Sequence, residues 1–258
     1  MPVSYDIDPT SPLPGLHLDG TVTRRFLISY PVPPESLGRF LPPGGEVSTW
    51  AGSAWVSACF VNIKDMRPSV VPRGVMGPLG LDFNYLVHRT RARLPYPDGK
   101  KRESVLVLEA NLDRKLFSTI GRAASGVRFR TRDITLTETA GAWKLLMRTR
   151  SGATLYEAEI SKSSMGRELP ESSRFSNAQD ADRFLLGVSY GGEWHPDTRR
   201  LRLFAETHDR WEALAGTCRT TRYRLLESLC EPRPEADHVI TMTQIPHYFA
   251  MFGVDVKL

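Results

Sequence analysis

Four arginines, Arg122, Arg128, Arg130 and Arg132, stand within eleven residues of the stretch IGRAASGVRFRTRDITL (120–136). Each guanidinium offers a planar fork of N–H donors that fits a carboxylate or a phosphate. If residues 127–137 form one strand, alternation puts Arg128, Arg130 and Arg132 on the face of Ile134 and Leu136. With that apolar pair turned to the core, the arginines line the open end of the same interior and receive an anion. A β-bulge near Arg132 reverses the arrangement. Val127 and Phe129 then become core, the arginines face water, and Glu157 and Glu159 of a neighbouring strand are at hand as counter-charges. Spacing alone leaves both phases open.

Asp82 and Asn84 share a face of the strand-like run LDFNYLVHRTRARL (81–94). A carboxylate there, close to Arg122 or Arg130, would be held ionised and act as a general base, or it would only neutralise an arginine. Lys115 lies beside Arg114 in DRKLF, a neighbouring cation that would depress its pKa, although lysine on a helix face normally sits in water. The histidines form no HExxH or HxH pair and the three cysteines no CxxC, so no metal site is expected. GxGxxG and the P-loop are absent, so no cofactor is expected either.

The elements that must carry these residues are mostly strands. Runs at 20–32, 53–66, 81–94, 103–112, 127–138, 142–150, 153–161, 200–207 and 238–246 read as β. In the first of them Val22, Phe26 and Ile28 share one phase. The spacing predicts a short helix over 33–45 and others over 113–125, 178–187 and 221–230. Residues 67–80 read as a loop, either a lid or a surface connection, and 1–18 as an irregular N-terminal arm. With no repeat or linker, the chain is expected to form one β-rich domain over 1–258.

Composition narrows the partners. The net charge is +5, and lysine and arginine are spread along the chain without a zinc spacing, an RNP-type motif or a basic helix. No nucleic-acid partner is expected. The opening residues lack the apolar core of a signal peptide, and no run is apolar enough to span a membrane. The expectation is a cytoplasmic protein.

Several stretches, in order, resemble one family. YPVPPESLGRFLPPGGEVSTWAGSAWVSACFVNIKDMRP (30–68), LDFNYLVHR (81–89), VLVLEANLDRKLF (105–117), IGRAASGVRFR (120–130) and PHYFAMFGVDV (246–256) look like the YqjF-like uncharacterised proteins of the acetoacetate decarboxylase-like superfamily. The resemblance implies a mainly β (α+β) fold: a large curved antiparallel sheet, closed into a cone or barrel around a cavity, with a few inserted helices. This fold class is often oligomeric, so a homo-oligomer is admitted. In the decarboxylases a cavity lysine forms a Schiff base with a β-keto acid, and a second lysine lowers its pKa. Their motif, roughly GREIWGFPKK, falls without gaps on residues 121–130. Gly121, Arg122 and Gly126 match, but Phe129 stands where the nucleophile would be and Arg130 where the modulating cation would be. Phenylalanine forms no imine and arginine stays protonated, so Schiff-base chemistry is not expected. This alignment turns Phe129 toward the cavity, whereas alternation turns Arg128 and Arg130 there.

The expectation that results is a lyase-like enzyme, or a former one, acting on a small carboxylate or ketone. Arg130, Arg128, Arg122, Asn84 and Phe129 would contact the ligand and Asp82 would serve as the base. The alternative is a non-catalytic module that binds a small molecule in the same cavity.

Overall fold

A near-continuous apolar run such as AWVSACFVNI (54–63) suits a sheet with two covered faces, and the chain builds one. The computed structural model describes residues 16–68, 81–115, 118, 127–188, 190–205, 207–208, 213–251 and 254–257. In chain order the strands of the large sheet begin with β1 (Leu16–Val32), β2 (Glu46–Val47), β3 (Ala54–Pro68), β4 (Leu81–Pro95), β5 (Lys101–Leu112) and β6 (Phe129–Thr131). Three strands of a second sheet follow, β7 (Asp133–Glu138), β8 (Ala142–Arg148) and β9 (Thr154–Ser161). The chain then returns to the large sheet with β10 (Tyr190–His195), β11 (Arg200–Ala205), β12 (Thr207–His208) and β13 (Leu214–Gly216). After β14 (Cys218–Tyr223), which joins the second sheet, come β15 (His238–Met251) and β16 (Val254–Lys257).

The large sheet runs β12-β15-β1-β3-β4-β5-β10-β11-β16, with β13 on β15, β2 on β4 and β6 on β5. Its pairings are antiparallel except where β10 and β6 join β5 in parallel. Two residues separate β15 from β16, yet these strands lie toward opposite margins of the order. Three Cα steps span at most about 11 Å, so the sheet curls until its margins meet. The second sheet, β14-β9-β8-β7, packs on one face. Phe26, Ile28, Tyr30, Val56, Phe60 and Leu86 of the large sheet bury against Ile134, Leu145, Met147, Tyr156 and Ile160.

The other face of the large sheet carries Leu27, Trp55, Cys59, Val61 and Ile63, covered in part by α1 (Ala178–Leu185). Asn177 caps this helix, its side chain accepting the Asp180 N–H at 2.9 Å. Ala181, Phe184 and Leu185 recur at helical spacing and form its buried stripe. Burying Phe184 stabilises the docked helix by about 2–3 kcal/mol.

Several expectations change in detail. The arm expected over 1–18 gives way to strand at Leu16, and residues 1–15 lie outside the described residues. The helix over 33–45 is a 3-10 turn, Pro34–Phe40, burying Leu37. Of the helix over 113–125, Lys115 and Ser118 are described as helical, with the Ser118 N–H donating to the Arg114 carbonyl at 3.1 Å; most of the rest lies outside the described residues. The helix over 221–230 shrinks to α2 (Arg224–Glu227), because β14 takes the preceding residues to pair with β9. No helix among the described residues is long and apolar enough to cross a membrane.

Two irregularities decide which side chains face inward. The run 127–138 is not one strand: β6 ends at Thr131, and the Arg132 N–H donates to the Leu112 carbonyl at 2.9 Å before β7 begins in the other sheet. Ile134 is buried between the sheets and Val127 on the opposite side of the large sheet, so the run changes phase at its break. In β1 the register slips between Val22 and Arg24, leaving Thr23 as an extra residue. Val22 then belongs with Leu27, not with Phe26 and Ile28. The bulge is tied down by a chain of bonds. The Thr23 hydroxyl donates to Asn62 Oδ1, Asn62 Nδ2 donates to Asn84 Oδ1 at 2.8 Å, and Asn84 Nδ2 donates to the Ile134 carbonyl at 3.2 Å.

Candidate functional site

Beyond the bulge, β1 presents Arg25, Leu27 and Ser29 on the inner face. Directly opposite residues on adjacent strands share a face, which fixes a three-by-three patch. Arg25, Val61 and Tyr85 form the first row, Leu27, Cys59 and Val87 the second, and Ser29, Ser57 and Arg89 the third. A cavity opens over this patch. Val105 and Val107 of β5, Gly191 of β10 and Phe204 of β11 continue its wall, and Val22, Val188 and Tyr190 complete it.

The lining is apolar with two cations. Six of its residues are valines, and the charged members are Arg25, buried at 5% exposure, and the half-buried Arg89. Among the described residues that line it there is no carboxylate and no lysine. The cavity volume is about 40 Å³. One water needs about 10–15 Å³ on this measure, so the space takes roughly three or four waters or one small molecule. A guanidinium in such a low-dielectric pocket attracts an anion more strongly than it would in water.

Arg89 also reaches α1. Its Nη2 donates to the Leu185 carbonyl at 3.2 Å, and Arg91 Nη1 donates to the carbonyls of Arg183 and Phe184 at 2.8 and 2.7 Å. Two cations on β4 therefore hold the negative end of α1. A small second space beneath the helix shares Arg89, Val105 and Val188 with the first.

None of the described site residues singled out by spacing is among those that line this cavity. Arg128 forms a two-pronged ion pair with Asp197 at 2.8 and 2.9 Å, its side chain 37% exposed. Arg130 pairs with Glu109 at 2.7 Å and is 59% exposed. Phe129 is half-buried, its ring edge-on to Tyr85 at 6.1 Å, so it backs the wall. Asn84 belongs to the chain that anchors the Thr23 bulge. Asp82 is exposed and accepts the Asp65 N–H at 3.0 Å, where β3 bends through a φ of 53°. Lys115 is exposed as well. Arg122 lies outside the described residues.

The structure brings together instead Arg25, Arg89, Tyr85, Tyr190 and Cys59. Alternation counted from Val22 points Arg25 away from its true face, and only the bulge restores it. A further signal in the chain is G-x-S-x-G at 187–191, spelled GVSYG. A nucleophile elbow needs a strand-to-helix turn around its serine. Here the segment leads from α1 into β10, the reverse order, and Ser189 lies outside the described residues.

Known proteins support the same frame. A family profile described as "Uncharacterized conserved protein (COG2071)" matches residues 21–245, and the chain belongs to this family, DUF2071. No curated protein matches it. Among solved structures it is similar to acetoacetate decarboxylase from Legionella pneumophila, with a TM-score of 0.64 at 14% identity over 94% of this chain and 88% of that one. An acetoacetate decarboxylase-like enzyme from Sphingomonas wittichii gives 0.63 at 15% identity, over 93% of each chain. The enduracididine biosynthesis enzyme MppR, complexed with pyruvate, gives 0.58 at 17% identity over 96% of each. At such identities the shared property is the fold: mainly β, with few helices, and acetoacetate decarboxylase-like.

Proposed function

We propose that this DUF2071 chain, built on an acetoacetate decarboxylase-like frame, binds a small organic acid in its interior cavity, with Arg25 and Arg89 attracting the carboxylate. The observation that carries the reading is a pair of guanidiniums on a valine-lined patch with no lysine among its described members. Pyruvate, the ligand of MppR, is an acid of the size this space admits. The anion is assigned to the buried Arg25 and to Arg89 in preference to Arg128 and Arg130, whose ion pairs lie on the outer surface. The finer kinship with YqjF-like proteins, a cytoplasmic setting and a homo-oligomer belong to the same proposal.

Binding without imine chemistry is the function the geometry supports best. A second reading, an acid–base enzyme of lyase type, draws on Glu193. The residue is 9% exposed, shares the face of Gly191 by alternation and pairs across the ladder with Val107, a lining residue, without itself lining the cavity. It accepts from the Arg128 N–H at 2.8 Å and lies 2.9 Å from His195 Nε2. That reading replaces Asp82 as the base.

Calorimetric titration with pyruvate and acetoacetate tests the proposal. Binding is expected, and Arg25→Met weakens it roughly tenfold to a hundredfold, the worth of a charge-assisted hydrogen bond. Borohydride treatment with acetoacetate leaves every lysine unmodified. A trapped adduct, or affinity indifferent to Arg25, would refute it. Product formation that disappears in Glu193→Gln would favour the second reading.

A further inference from the structure

Resting on the reading of the cavity as an anion site, we propose that its ligand is a short saturated monocarboxylate of about four or five carbons. Its carboxylate lies at Arg25 and its alkyl chain on the valine wall, and Phe204 sets the limit on chain length.

Size comes first. Room for three or four waters, at roughly 30 Å³ of liquid each, corresponds to about 100 Å³, the bulk of a butyrate or valerate ion. Wall chemistry comes second. Val61, Val87, Val105 and Val107 present branched hydrocarbon from three adjacent strands. A methylene placed there gains the full benefit of leaving water, whereas a keto oxygen or second carboxylate loses hydrogen bonds to water that valine does not replace. Charge comes third. Arg89 is drawn toward the helix by the Leu185 carbonyl, while Arg25 is buried in the lining itself. One anionic head and an apolar tail match this division.

The limit on length follows from a close approach. Gly191 stands opposite Phe204 in the β10–β11 pair. A Cβ on Gly191 would sit 2.3 Å from Phe204 Cε2 and 2.4 Å from its Cζ. The ring therefore occupies the space over the glycine and forms a wall of the cavity, several strands away from Arg25 in the sheet order.

The experiment is a titration of the protein with the sodium salts of acetate, propionate, butyrate, valerate, hexanoate and octanoate, beside pyruvate, acetoacetate and succinate. Affinity is expected to rise about fourfold per added methylene up to butyrate or valerate and to fall beyond hexanoate. Acetoacetate is expected to bind about tenfold more weakly than butyrate. In Phe204→Ala the best chain becomes longer while acetate affinity stays unchanged, a shift that a merely structural role of the ring would not produce. Acetoacetate or pyruvate binding as tightly as butyrate overturns the ligand class while leaving the anion site intact. An optimum that Phe204→Ala does not move overturns the role of the ring. If no acid in the set binds, both this inference and the reading beneath it fall.

Discussion

Arg25 and Arg89 occupy opposite corners of a patch of sheet whose centre is Cys59. Each is a diagonal neighbour of that cysteine, so their Cβ atoms stand roughly 15 Å apart. From there their long side chains can both reach a small anion between them, whose charge would offset their mutual repulsion. The same strands give every other position of the patch to neutral residues.

Helix α1 is expected to loosen independently of the sheet. Arg91→Met removes the donors to the Arg183 and Phe184 carbonyls, the ion pair with Glu103 and the contact over the Phe184 ring. A stability loss of about 1–2 kcal/mol is expected. Hydrogen exchange should quicken in α1 while β3 and β4 amides keep their protection, the signature of a local opening.

Two adjacent glycines should respond differently to alanine. Gly191→Ala pushes the Phe204 ring off β10 and changes ligand affinity. Gly192→Ala meets Leu94 at 2.8 Å and Leu201 and Leu203 at 3.2 Å on the other side of the strand. Overpacking there costs about 1–3 kcal/mol and leaves affinity unchanged. Denaturation midpoints and binding titrations on the two variants separate the effects.

Removing one link of the bulge anchor should disturb binding at a distance. Asn84→Ala leaves the Asn62 amide and the Ile134 carbonyl without their partner. Stability is expected to fall by about 1–3 kcal/mol. Ligand affinity should drop with it, because the Thr23 bulge that turns Arg25 inward loses its support, and comparing binding in Asn84→Ala and Arg25→Met checks this.

His88 supplies a pH dependence. The ring is 2% exposed and its Nδ1 lies 2.7 Å from the Tyr223 hydroxyl. Burial pushes its pKa from 6.5 down to about 4, Glu109 opposing and Arg130 adding to the shift. Between these values the unfolded chain binds the extra proton and the folded one does not. Stability therefore rises with pH from about 4 to about 6.5 and then levels, by on the order of 3 kcal/mol. Urea midpoints from pH 4 to 8 should show this rise, and His88→Gln should flatten it.

Much of the sheet is legible in the chain because alternation reports a strand wherever one face is covered. The runs at 81–94 and 103–112 become β4 and β5 within a few residues. The helix at 178–187 carries its own cap in Asn177 and its own stripe in Ala181, Phe184 and Leu185. The site is legible only in type. The expectation of arginines facing a cavity can be read from the chain, but that Arg25 is the one in the lining turns on a single extra residue, Thr23, opposite Asn62. A bulge leaves almost no trace in composition and inverts every inward assignment before it. The break at Arg132 acts in the same way on Arg128 and Arg130, since their partners Asp197 and Glu109 are remote in the chain.

Leu27 finds Ile240 across the ladder, and Ser29 finds His238. A ribosome delivers β3, one neighbour of β1, early, but β15, the other, only after more than two hundred other residues have emerged. Until then one flank of the nascent sheet is bare, and the hollow above Cys59 lacks the curl that encloses it. Such distant pairing is slow to form, so any metabolite that fits the hollow can act only on the finished chain, as a brace on a completed fold and not as a guide to its assembly.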